Sequence, residues 1–246
     1  STLFPYTTLF RSGGGDISFN GGEILRDADG VGTMTYQWGN NHGSIAEING
    51  KWYIFYHRQT GVNEFSRQAM LEPIDVALGG DGALYIGDIQ YLNGEPVSSR
   101  PVEMTSQGPH INGLDASKWI SAGYACHIHG SGQRAYIKPC YEQRPDVSAP
   151  IVGITSGTTV GFRYLQFGSN PYRTVTVVLD QHQPLKVNVR LDSYRGRVIA
   201  QLDFSGEGKE QTASLTTGVV GKHAVYFELQ SNEAGEIAVF NRFTFS

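Results

Sequence analysis

The densest group of residues able to position a ligand is Trp38-Gly39-Asn40-Asn41-His42, just ahead of Gly43-Ser44. A neutral imidazole can ligate a cation or donate a hydrogen bond. The adjacent amides can donate and accept, and an indole offers a flat apolar face. His57-Arg58 closes the next apolar run and reads mainly as strand-end hydrogen bonding. A further pair, His127 and His129 in Cys-His-Ile-His, shares one face of a strand, a spacing that can hold a metal. No third ligand is suggested nearby, so these two are expected to be surface histidines on a loop or edge. Cys126 and Cys140 are the only cysteines. They lack zinc spacing and are too few for a disulfide framework; whether they pair across a hairpin stays open.

The elements that must carry these groups are short strands. Ser44 to Ile48 alternates, Asn49-Gly50 turns, and Lys51 to His57 returns. Asn-Gly favours positive φ at both central positions and so closes a two-residue hairpin. Trp52, Ile54 and Tyr56 fall on one face and Tyr53, Phe55 and His57 on the other, which suggests a strand packed on both sides. A second unit runs from Ser66 through Val76 to the Gly79-Gly80-Asp81-Gly82 turn and on through Ala83 to Ile86. Residues 93 to 113 are rich in Asn, Gly, Pro and Ser and read as the crossing between two domains.

From Leu114 onward strands recur about every ten residues. Val175, Val177 and Leu179 alternate; so do Val187, Val189 and Leu191, then Val198, Ala200, Leu202 and Phe204. Val225, Phe227 and Leu229 follow, and Phe243 with Phe245 ends the chain. With no convincing helix, the pattern predicts an all-β chain ending in a β-sandwich. The net charge is −4 and no Lys/Arg cluster appears, which argues against nucleic acid. No stretch approaches the run of about 18 apolar residues that a membrane span needs. The 13 Tyr and 3 Trp suit sugar stacking, and also suit an ordinary β-protein core, the more common case.

Two resemblances sharpen this reading. Gly39 to Ser44, Glu47 to Arg58, Phe65-Ser66-Arg67-Gln68 and Glu72-Pro73-Ile74 resemble the late-blade motif of family 43 glycoside hydrolases. This resemblance implies the last part of a five-bladed β-propeller over residues 13–110. Ile154 to Phe162, Val189 to Ser193, Ala224 to Phe227 and Phe240 to Phe245 resemble a family 6 carbohydrate-binding module. That implies a jelly-roll-like β-sandwich over residues 114–246. Residues 2–12, TLFPYTTLFRS, resemble a translated sequencing adapter, so residues 1–12 are expected to be foreign to the fold and the natural chain to continue upstream of Gly13.

The family 43 resemblance implies a secreted or periplasmic hydrolase of arabinose- or xylose-containing plant cell-wall polysaccharide. Inverting glycosidases use two carboxyl groups, one as acid and one as base. In this family these lie in earlier blades, so no residue here is assigned as catalytic; Glu72 reads as structural, and most other carboxylates as solvated loop charges. The chain alone is expected to release no pentose from arabinoxylan, and measurable release would overturn this. His42 matches a histidine near the propeller axis, implying that it binds a central cation, calcium, directly or through water, or supports the acid–base network, and Trp38, Asn40, Asn41 and Arg58 are expected around the same substrate pocket.

In the sandwich, Asn241 matches the family's sugar-binding Asn. The two aromatic platforms usual in the family fall near Pro150 and near Gly208-Lys209, where no ring stands; Tyr164, Tyr172 and Tyr194 are the substitutes considered. A non-catalytic carbohydrate-binding or structural accessory role is the alternative reading.

Overall fold

A computed structural model describes residues 43–59, 67–100, 105–130, 135–138 and 149–246. The chain divides into two compact units, Ser1–Met104 and Thr105–Ser246.

The described part of the first unit is one antiparallel meander in the order β1-β2-β3-β4-β5. Its strands are β1 (Gly43–Ile48), β2 (Lys51–Gln59), β3 (Arg67–Leu78), β4 (Leu84–Leu92) and β5 (Glu95–Arg100). Ile48 pairs with Lys51 across Asn49 and Gly50, whose φ values are 52° and 75°. That is the positive-φ pair expected of a two-residue hairpin. Asn93 and Gly94, at 52° and 85°, close β4 onto β5 in the same way, with Leu92 opposite Glu95. The expectation of an unpatterned crossing from residue 93 is therefore corrected: a fifth strand begins there. Ile54, Ile74 and Ile86 are buried together on one face, with Ile45, Trp52, Tyr56 and Val76 packed against them. On the other face of β2, Tyr53 and Phe55 are half-buried.

The second unit starts earlier than the expected residue 114. Thr105, Ser106 and Gln107 are all buried. The Ser106 N–H donates to the Arg163 carbonyl, and Ser106 Oγ accepts from the Arg163 N–H at 3.0 Å. These two bonds, one from the Ser106 backbone and one to its hydroxyl, tie the segment to the sandwich although its residues carry no alternating apolar pattern.

The sandwich consists of two sheets. One has the order β15-β12-β17-β10-β9, built from β9 (Tyr136–Ile137), β10 (Ile151–Ile154), β12 (Tyr172–His182), β15 (Glu210–Val219) and β17 (Ala238–Phe245), with β7 (Ile120–Ser121) also on β17. The other has the order β14-β13-β16-β11-β6, from β6 (Leu114–Asp115), β11 (Thr158–Gln166), β13 (Leu185–Leu191), β14 (Val198–Phe204) and β16 (Lys222–Gln230). Here β8 (His127–His129) also pairs with β11. Among the described residues the only helix is the 3-10 turn Ala122–Tyr124, capped by Ser121 Oγ, which accepts from the Gly123 N–H.

The alternating apolar residues point between the sheets. Val175, Val177 and Leu179 from one sheet, and Val187, Val189, Val225 and Phe227 from the other, are all buried. Phe243 joins the sheets: its ring lies 4.6 Å from both Phe162 and Phe227. Edge-to-face and tilted contacts of this kind add to the burial term.

Candidate functional site

Strand β17 carries the bend that builds the site. Val178 pairs with Arg242 but Leu179 with Phe240, so Asn241 has no residue opposite it. One step on, Gln181 pairs with Val239, which leaves Asp180 over. On the other side of β17, Ile151 pairs with Phe240 and Ile154 with Ala238, so β10 also carries an extra residue there, with Gly153 at φ 71°. Three bulges thus surround Phe240. A bulge bends its strand and re-aims side chains, and bulges concentrate beside functional sites. Phe240 and Phe243 stay buried while Asn241 and Arg242 between them are only half-buried.

The two extra residues meet: Asn241 Nδ2 donates to Asp180 Oδ2 at 2.7 Å. Beside them lies a groove of about 460 Å³ lined by Tyr136, Lys138, Pro150, Val152, Gly153, Asp180, Gln181, Glu236 and Val239. Glu236 is held in place by the Gly153 N–H, which donates to its Oε1 at 2.7 Å. The groove therefore presents two oriented carboxylates, an ammonium, an amide and one phenol ring. These can exchange hydrogen bonds with a polyhydroxylated ligand while the ring offers an apolar face.

Of the positions expected to carry the family's platforms, Pro150 reaches the groove, and Gly208-Lys209 bonds to β12 on either side of Asp180. The Leu179 N–H donates to the Lys209 carbonyl at 2.8 Å, and the His182 ring spans the Gln183 and Gly208 carbonyls at 3.1 Å each. Neither position bears a ring. Tyr164, Tyr172 and Tyr194 do not replace them. Tyr164 lies under the Lys222 ammonium, Tyr172 packs edge-on against Phe167, and Tyr194 stacks on His127. The rings nearest this chemistry are Tyr136, in the groove, and Trp119, under the Arg242 guanidinium. The amino-acid sequence marks neither. Asp180 was also missed, although the break in alternation at Val178-Leu179 and the three-residue step from Phe240 to Phe243 were visible signals.

A larger groove of about 630 Å³ runs along Lys186, Asp203, Gln230 and Ser231, across the strand ends of the other sheet. No aromatic residue lines it. Next to it, Glu228 accepts from Arg190, Asn188 and Gln230. Burial pushes the Glu228 carboxyl up, but these hydrogen bonds outweigh it and leave the pKa below the ordinary value.

Trp38, Asn40, Asn41 and His42, with the calcium expected at His42, lie outside the described residues. Arg58 stands on β2 opposite Gln68, and His57 opposite Ala69. His127 corrects the expectation of two surface histidines: it is buried, whereas His129 beside it is exposed. Among the described residues no group of three or more His, Cys, Asp or Glu is placed to hold a metal. Cys126 is buried and Cys140 lies outside the described residues. Asp81 is used by its own turn: it accepts from the Ala83 N–H and the Tyr85 hydroxyl, which hold its pKa below the ordinary value.

Residues 129–246 match the family described as carbohydrate binding module (family 6). Those residues make up most of the second unit, which is similar over that stretch to a family 6 carbohydrate-binding module. Over 221 residues the chain is 28% identical to a xylosidase/arabinosidase of Thermoclostridium stercorarium; the match covers 83% of this chain and 42% of that protein. A family 43 arabinoxylan arabinofuranohydrolase from Bacillus subtilis has a similar fold, with a TM-score of 0.54 and 18% identity. That match covers 85% of this chain and 41% of the Bacillus chain. The chain thus spans about two fifths of the length of each relative. Its organisation, a propeller-type sheet followed by a family 6 module, fits the C-terminal part of a family 43 glycoside hydrolase.

Proposed function

We propose that the second unit holds plant cell-wall polysaccharide in the groove beside Asn241 and Asp180, and that the first unit belongs to the propeller of a glycoside hydrolase acting on arabinose- or xylose-containing chains. The observation that carries this reading is the convergence of Pro150, Asp180 and Asn241 on one groove within a carbohydrate-binding module. Asn241 orients the Asp180 carboxylate, which accepts from sugar hydroxyls; Lys138 donates; Tyr136 covers the apolar face of a ring. A polymeric substrate of this kind calls for a secreted or periplasmic protein.

Affinity electrophoresis of the full chain through gels containing soluble arabinoxylan or arabinan tests the reading. The expected result is retarded migration, with binding roughly tenfold weaker in Asn241→Ala, the scale of one hydrogen bond to a charged group. Unretarded migration in every polysaccharide would sink it.

The missing rings at Pro150 and Gly208-Lys209 favour a second reading, in which the sandwich is a structural accessory. That reading expects Asn241→Ala to leave migration unchanged in all gels.

A further inference from the structure

The binding surface extends past the groove, to a residue outside the stretch that matches the family. Strand β17 has two partners in succession along one edge. Strand β10 pairs at Phe240, and β7 pairs further on, with Ser121 opposite Arg242 and Ile120 opposite Phe243. Trp119 immediately precedes β7, and its side chain stays 46% exposed. A large aromatic left in water is the informative exception to apolar burial.

Trp119 is held in place. The Arg242 guanidinium lies 4.7 Å from its ring centroid, within the range of a cation–π contact. Arg242 Nε is shielded from solvent and has no hydrogen-bond partner, so the ring is the contact that accounts for where the guanidinium sits. Arg242 adjoins Asn241, Asn241 donates to Asp180, and Asp180 lines the groove. Asn241 and Arg242 thus lie in sequence between the groove's Asp180 and an exposed indole braced by a guanidinium. From Val239, which lines the groove, to Arg242 the strand advances at most about 10 Å at ~3.3 Å per residue, less what the bulge at Asn241 takes up. That separation suits successive rings of an extended sugar chain and is too long for one pyranose.

Building on the sugar-binding reading above, we propose that Trp119 is a distal stacking platform and that the site takes an extended oligosaccharide instead of a single terminal sugar. Trp119 stands in for the rings absent at Pro150 and Gly208-Lys209, and Arg242 sets its orientation.

The test is isothermal titration of the full chain with xylobiose and with xylohexaose, for the unchanged protein, Trp119→Ala and Trp119→Phe. The unchanged protein is expected to bind xylohexaose about tenfold more tightly than xylobiose, the scale of one aromatic stack. Trp119→Ala should bind the two alike, with xylobiose affinity unchanged, and Trp119→Phe should recover most of the difference. The other tryptophans, Trp38 and Trp52, belong to the first unit. Xylohexaose should therefore change tryptophan emission clearly more in the unchanged protein than in Trp119→Phe. Equal preference for xylohexaose in Trp119→Ala, or an undiminished emission change in Trp119→Phe, overturns the proposal and leaves the groove reading standing. Failure of the unchanged protein to bind either sugar overturns the platform; the groove reading falls with it only if arabinoxylan and arabinan gels also fail to retard the chain.

Discussion

Phe243→Ala is expected to destabilise the sandwich by about 3–5 kcal/mol, the usual cost of removing a fully buried aromatic ring. Phe243 has no exposed surface, and it touches both sheets. Its ring contacts Phe162 on β11 and Phe227 on β16 at 4.6 Å, and Phe245 on its own strand at 6.0 Å. The surrounding strands relax only partly into the space that the ring leaves, so a cavity term adds to the lost transfer energy. A loss of that size is a large fraction of a domain's total stability. Chemical denaturation of the full chain, following the transition of the second unit, measures it. A change below about 1 kcal/mol, the range of tolerated repacking, would contradict the placement of Phe243 at the centre of this core. Asn241 and Arg242 lie between Phe240 and Phe243, so the variant should also weaken sugar binding where the strand bends.

Acid should weaken the sandwich through His127. This imidazole is buried, neither ring nitrogen has a hydrogen-bond partner, and its neighbours are Tyr194, Tyr226 and His129. Gly161 opposite it leaves the room: a Cβ there would meet the Tyr226 ring at 2.6 Å and His127 Cβ at 3.0 Å. Burial first, then the Arg163 and His129 charges, push the His127 pKa well below its ordinary value of 6.5. The unfolded chain therefore takes up the proton first. Stability is full above pH ~6.5 and is lost as the pH falls from there toward the depressed folded value, at up to about 1.4 kcal/mol per pH unit.

His127→Phe removes the titration and keeps a ring against Tyr194 and Tyr226. Denaturation midpoints between about pH 7 and pH 5 should fall more steeply for the unchanged protein than for this variant. Asp115 and Glu228 do not confuse the window. Both carboxyls are held below their ordinary values, Asp115 foremost by the Ser117 hydroxyl and Glu228 by hydrogen bonds that outweigh its burial. Their contribution is present above ~4 and is lost only below it. Parallel slopes for the two proteins would mean that His127 is not the group that titrates.

The amino-acid sequence by itself determined the β class and the local turns. Asn49-Gly50 closes a hairpin because both residues tolerate positive φ, a property of those two residues alone. Asn93-Gly94 carried the same signal and was outweighed by the Pro and Ser around it, so β5 was read as part of a linker. The alternation of Val175, Val177 and Leu179, and of Val225, Phe227 and Leu229, marked core faces correctly, since side-chain direction in a strand has a period of two.

Only the tertiary structure decided the site. Asp180 and Asn241 are 61 residues apart, and each faces outward because its strand gains one residue relative to a neighbour. Such register depends on which strands pair, information that no local window holds. His127 is buried for the same reason: β8 lies against β11, and the rings of Tyr194 and Tyr226 close over it. Alternation could not reveal this, because an imidazole reads as polar in sequence while its burial is set by distant strands packing around it.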